Sequence, residues 1–209
     1  MTTTRDRQKF LRQRFNRLTF QYHLNPFTRW VGRSELAVLR DMIPPPPHPG
    51  ETHALDFGCV AGRIAAMLLE LGYRVTGYDI SSGMLDQARA TIGKRPDMIF
   101  TSDPQAITGP WPLIVSLGVL DYYPDSASLF EEWRRLLSPD GSLLVTVPNA
   151  NSPLAWLYTF LSCFTCQAYA TTLEKLMPSV WSTGLILLDV QFAFPRRWWG
   201  HTIVFAFQD

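Results

Sequence analysis

The residues best suited to chemistry lie in one short run, Leu55-Asp56-Phe57-Gly58-Cys59-Val60-Ala61-Gly62-Arg63, and in an acid that follows it, Asp79. Glycines let a ligand approach the main chain, and the start of a helix favours negative charge. Asp79 ends the next apolar segment, about 20 residues past the turn, where an acid reads ribose hydroxyls in dinucleotide-type folds. Taken singly, each feature is also compatible with an ordinary strand–helix turn and a helix cap supplied by Asp79 or Ser81. Together they favour a nucleoside-bearing ligand. Farther on, Gly118-Val119-Leu120-Asp121-Tyr122-Tyr123-Pro124 offers a carboxyl and two phenols. Asp121, Tyr122 and Tyr123 are therefore the candidates for orienting a substrate or removing its proton. His23 and His201 are isolated and read as structural. Cys163 and Cys166 have no second pair at zinc spacing, so they read as packing within an apolar helix, and no metal site is expected.

The glycine spacing separates the nucleotide cofactors. Gly58 and Gly62 are four apart, not in the Gly-x-Gly-x-x-Gly order of nicotinamide and flavin sites, and Asp56 precedes the first. Between about residues 54 and 147 the chain resembles the class I S-adenosylmethionine-dependent methyltransferase family. Four pieces in order carry the resemblance: Asp56-x-Gly58 with Gly62; Asp79-Ile80-Ser81 followed by Met84-Leu85; Asp103; and Leu137-Ser-Pro-Asp-Gly141. The resemblance implies that Gly58 and Gly62 approach the methionine portion of S-adenosyl-L-methionine, with Asp56 beneath the turn. Asp79 would hold the ribose, Ile80 would lie on the adenine, and Asp103 beside Pro104 would read its amino group. Leu117 and Val119 would flank the cofactor. Asn25-Pro26-Phe27-Thr28-Arg29 resembles a stretch of quinone-biosynthesis methyltransferases, which implies that Arg29, or else Arg33, meets the cofactor's carboxylate.

Val60 departs from the pattern, because the family has its middle glycine there. A β-branched side chain is strained at positive φ. Two outcomes fit the departure: an enzyme whose loop accommodates valine, or a non-catalytic partner subunit with weakened cofactor binding. The acceptor expected of the enzyme is a small hydrophobic or aromatic metabolite, methylated on O, N or C. Residues 154–170, uncharged and rich in aromatic side chains, follow the fifth strand, where this family inserts substrate-covering elements.

The elements that position these groups follow from periodicity. Strands at 54–57, 74–78, 98–101, 113–117 and 142–147 alternate with helices at 63–71, 83–92 and 126–137, which predicts a doubly wound, mostly parallel α/β sheet. Two final strands, 185–194 and 202–207, are joined too closely for a crossover and must pair antiparallel, completing seven strands. Helices at 5–24 and 33–42 precede a proline run. The expected organisation is a helical cap over 1–43, a linker over 44–53 and the main domain over 54–209.

Apolar residues make up 46% of the 209 and charged residues 18%, enough for a sizeable core. Residues 1–40 carry nine Lys/Arg against two acids, whereas the whole chain has a net charge of only +1. The near-neutral total argues against nucleic acid as the substrate, and a small-molecule acceptor is expected instead. Residues 151–173 hold no charge but several hydroxyls, so they read as a buried or substrate-facing helix that could touch a membrane without spanning it. Three cysteines and no apolar leader give a cytoplasmic expectation.

Overall fold

The computed structural model describes residues 4–18, 26–123, 125–162, 168–194, 197 and 200–208. Its helices are α1 (Thr4–Leu18), α2 (Pro26–Met42), α3 (Arg63–Glu70), α4 (Ser82–Ile92), α5 (Ala127–Leu136), α6 (Pro153–Ser162) and α7 (Leu173–Trp181). Its strands are β1 (His53–Phe57), β2 (Arg74–Tyr78), β3 (Met98–Thr101), β4 (Trp111–Ser116), β5 (Leu137–Pro148), β6 (Ile186–Ala193) and β7 (Thr202–Gln208).

The seven strands form one sheet in the order β3-β2-β1-β4-β5-β7-β6. Strands β1 to β5 run parallel, and β7 is antiparallel to both neighbours, as expected for the fold. Alternate side chains serve opposite faces. Leu55, Phe57, Ile114, Val145 and Phe205 pack on one face with Phe130 and Trp133 of α5. Ala54, Val75, Leu113, Val115 and Val204 pack on the other with Ile64 and Leu68 of α3 and Val38 and Leu39 of α2. The strand order reverses between β1 and β4, so the loops leaving these two strands open a crevice where ligands bind in such sheets.

Several expectations are corrected. Helix α2 begins at Pro26, well before residue 33, because proline is tolerated in a first helical turn. Its Val38 and Leu39, with Ile43 just beyond it, are core, while α1 lies over the crevice with Leu11 its buried anchor. Residues 44–53 are tied to the sheet domain: Tyr73 donates to the Pro44 carbonyl at 2.7 Å, and Gly50 N–H to the Gly72 carbonyl at 2.7 Å. The Ser138–Gly141 turn survives as a shift of register where β5 passes β4. Helix α6 is not buried, since Trp156, Leu157, Phe160 and Leu161 face outward while Ala155 and Tyr158 face in. No described helix is long and apolar enough to cross a membrane.

Candidate active site

The loop between β1 and α3 sits at the crevice. Gly58 and Gly62 take φ of 82° and 83°. A Cβ on Gly58 would come within 2.2 Å of Val119 Cγ2, so only glycine lets the loops after β1 and β4 touch. A Cβ on Gly62 would meet Ile92 Cδ1 at 2.9 Å, so its absence lets α3 close on α4. Val60 has φ 48°, keeping the left-handed turn that its side chain disfavours. The turn is anchored by its neighbours: Gly58 and Cys59 N–H donate to the Tyr78 carbonyl, and Val60 N–H donates to Asp79 Oδ2 at 3.0 Å.

Asp79 is buried at the tip of β2, and its Oδ1 accepts from Ser81 N–H at 2.8 Å. Burial lifts its pKa to about 6, against the pull of those two backbone donors. A carboxylate offers roughly four acceptor sites, so two remain for a diol. Asp56, also buried, lies under the loop near the Ala65 N–H of α3; burial raises it to about 8.

Two adjoining cavities share a wall made of Gly58, Val60, Leu117, Gly118 and Tyr122. The first, beside Asp79, is lined by Ile80, Met84, Pro104, Val119 and Leu129 and covered by Gln8, Leu11 and Phe15 of α1. Its apolar faces and acidic end fit a flat base joined to a diol. Helix α1 is held there by Asn16, whose side-chain oxygen accepts from Ser81 Oγ at 2.6 Å, and by the Phe15 ring edge-on to Tyr122 at 5.2 Å.

The second cavity collects Glu35 of α2, Arg63, Asp121, Tyr122, Thr146, Tyr158 of α6, His201 and Thr202. Thr202 donates to Glu35 Oε1 at 2.6 Å, and His201 Nδ1 lies 3.0 Å from the same hydroxyl. Burial raises the Glu35 pKa, opposed by Thr202 and Arg63. Asp121 is raised to about 8 by burial and then by the charge of Glu35, while burial lowers His201 to about 4.

Of the sequence candidates, Asp56, Gly58, Gly62, Asp79, Ile80, Leu117 and Val119 gather around the shared wall or the first cavity. Asp121 and Tyr122 meet in the second, whereas Tyr123 lines only the first, which Tyr122 also reaches from the shared wall. Asp103 is exposed and accepts from Gln105 N–H, capping its own turn; Pro104 is the residue that reaches the cavity. Arg29 lies on α2 with its side chain outside those described, and Arg33 is exposed. His23, Cys163, Cys166, Trp198 and Trp199 fall outside the described residues. Glu35 was not singled out for the site; Tyr158 entered only as part of the aromatic stretch 154–170, and His201 was weighed as a base but read as structural. Glu35 carried one legible signal: an acid on the Val31–Val38–Leu39 side of an otherwise basic N-terminal segment.

Residues 55–145 match the family model of a methyltransferase domain. A ubiquinone biosynthesis O-methyltransferase of Sodalis glossinidius is 29% identical over 50% of this chain and 44% of its own length. A trans-aconitate 2-methyltransferase of Streptomyces coelicolor is 31% identical over 63% of this chain and 43% of its own. The chain thus spans less than half the length of these curated relatives. A magnesium protoporphyrin IX methyltransferase of Synechocystis, crystallised with bound SAH, superposes with a TM-score of 0.76 at 16% identity, covering 96% of this chain and 99% of that one. An S-adenosylmethionine-dependent methyltransferase of Mesorhizobium loti gives 0.69 at 20% identity, covering 84% and 98%. Residues 55–145 are thus similar to a methyltransferase domain, and the sheet order and glycine loop give the chain the fold of class I S-adenosylmethionine-dependent methyltransferases.

Proposed function

We propose that the chain binds S-adenosylmethionine in the cavity beside Asp79 and transfers its methyl group to a small acceptor with an apolar or aromatic body. The observation that carries this reading is the pairing of cavities across Gly58 and Val60, one ending in the buried carboxyl of Asp79 and the other in that of Asp121. Asp79 would hold the ribose, Ile80 and Val119 would enclose the base, and the main chain at Gly58–Val60 would meet the methionine portion. The bound cofactor supplies a methyl group already activated on a sulfonium. The remaining task is alignment and exclusion of water, which can lower a barrier by roughly 7–11 kcal/mol. Helix α1 covers one cavity, while Val31, Val147, Pro148 and Tyr158 give the other its apolar wall. Asp121 would take a proton from the acceptor.

Retention of the left-handed turn at Val60, with its N–H on Asp79, supports the enzyme over a partner subunit that has lost its cofactor. Calorimetric titration with S-adenosylmethionine and S-adenosylhomocysteine tests this. Micromolar binding of both is expected; no heat with either would overturn the reading.

A further inference from the structure

Nothing in the family likeness accounts for Glu35, or for its meeting with Asp121. The two carboxyls come from α2 and from the turn after β4, and both line the second cavity. Asp121 is 7% exposed, and its Oδ1 is buried with no hydrogen-bond partner among the described residues. Glu35 receives one donor, from Thr202. Among the described residues Arg63 is the only Lys or Arg lining the cavity; its guanidinium lies over Gly32, where an added Cβ would fall 1.9 Å from Nη1, and its charge favours ionised Glu35 without pairing with it. Among the described residues it forms no ion pair with either acid. His201 is held neutral by burial and adds no compensating charge.

Enclosed carboxyls are costly unless a donor or a cation pairs with them. We propose that this cavity takes a basic amine, so that the acceptor atom is the nitrogen of a primary or secondary amine carried on an apolar body. The proposal rests on the reading that the neighbouring cavity holds the methyl donor.

An alkylammonium has several N–H donors, no acceptor and a positive charge, and so it answers both acids at once. A hydroxyl has a single donor. A carboxylate or phosphate meets repulsion from both acids. The aromatic side chains of Tyr122 and Tyr158, hydroxyls 3.4 Å apart, line the same space, and aromatic rings attract cations.

The step balances. The ammonium gives one proton to an ionised carboxyl. The freed lone pair forms the N–C bond as the C–S bond breaks, and that electron pair stays on sulfur. The methylated nitrogen then carries the positive charge and loses a second proton to solvent. A carboxyl lifted to about 8 is a base matched to such a transfer near neutral pH.

The test uses three probes of one shape: 2-phenylethylamine, 2-phenylethanol and phenylacetate. Each is titrated into the full chain with and without saturating S-adenosylhomocysteine. The amine is expected to bind at least tenfold more tightly than the alcohol, and phenylacetate not to bind. Glu35→Gln and Asp121→Asn, each checked for folding by circular dichroism, should weaken the amine at least tenfold and leave S-adenosylhomocysteine affinity within twofold. Absence of an amine preference in the wild type, with no binding of any probe counted as absence, overturns the proposal without recourse to the variants. A matching loss of S-adenosylhomocysteine affinity in either variant also overturns it, because the acids would then hold the cofactor's own ammonium. Failure of S-adenosylhomocysteine to bind the wild type would instead sink the methyl-transfer reading, and the titrations without it would still decide the amine preference.

Discussion

Val60 stands in a conformation that costs a non-glycine residue about 1–2 kcal/mol, yet its N–H is one of two backbone donors on Asp79. Glycine would keep both the turn and that hydrogen bond while removing an isopropyl group from the wall between the cavities. Val60→Gly should therefore tighten S-adenosylhomocysteine binding about tenfold, since strain or crowding of this kind costs about 1–3 kcal/mol. Weaker binding in titration calorimetry would show that the valine side chain is part of the pocket. Asp79 calls for a gentler substitution, because alanine would strand the Val60 and Ser81 donors. Asp79→Asn keeps the shape and one acceptor oxygen, loses the charge and leaves only one of those two donors unmet, and should weaken cofactor binding roughly ten- to a hundredfold, the range for hydrogen bonds to a charged group. Unchanged affinity in a folded variant would remove Asp79 from the ribose site. Asp56, Gly58, Gly62 and Asp79 were legible in the sequence because one strand–turn–helix and the next strand hold them all, so spacing along the chain mirrors spacing in space. Glu35, Tyr158 and His201 reach the cavity only because α2, α6 and the start of β7 converge there, and no local pattern records that convergence. Asp103 caps its own turn through one carboxylate oxygen, and its neighbour Pro104 lines the cavity.

Among the elements, α1 and α2 look alike in the sequence, both amphipathic and basic, yet they are built into the molecule differently. Helix α1 buries Leu11 and touches α4 and Tyr122 over a cavity, whereas α2 inserts Val38 and Leu39 into the core beside the sheet. Burying one leucine contributes about 1.5–3 kcal/mol, which a domain of this size can lose and remain folded. Deleting residues 1–24 should therefore leave a cooperative thermal transition and raise the dissociation rate of S-adenosylhomocysteine at least tenfold, while deleting 1–43 should abolish the transition. Unfolding of the shorter deletion would make α1 structural and not a lid. Limited proteolysis within α1 should be slowed by S-adenosylhomocysteine, as for a closing element. The strands were readable because two-sided burial leaves short apolar runs between turn residues. Prolines hid the first turns of α2, which was expected only from residue 33, and the whole of α7, whose period Pro178 interrupts. Helix α6 was read as buried or substrate-facing; only its Tyr158 side meets a cavity, and composition does not say which way a helix turns.

At the scale of the whole molecule, the sheet end that carries the site also gathers acids that oppose folding. Asp56 and Asp121 are raised to about 8, Asp79 to about 6, all chiefly by burial. An acid with a raised folded-state pKa keeps its proton in the native state after the unfolded chain, near its ordinary value, has released it. The native state then binds more protons, so stability falls as pH rises from the unfolded value to the folded one. His201, lowered to about 4, works in the other direction, but only below its unfolded value of 6.5. The window from pH 6.5 to 8 therefore reports the carboxyls alone, with Asp56 and Asp121 dominating and Asp79 already ionised. Each retained proton sets a slope of about 1.4 kcal/mol per pH unit, tapering as the folded-state pKa is reached. Urea unfolding at several pH values across this window should show free energy decreasing with pH, and Asp121→Asn should remove about half of the slope. Stability that is flat or rising over the window would mean that Asp56 and Asp121 are ionised in the folded protein. An ammonium ligand between Glu35 and Asp121 should flatten the slope as well, because it stabilises the ionised pair that burial alone disfavours. The same titration with 2-phenylethylamine present thus connects the acidity of this edge to what binds there.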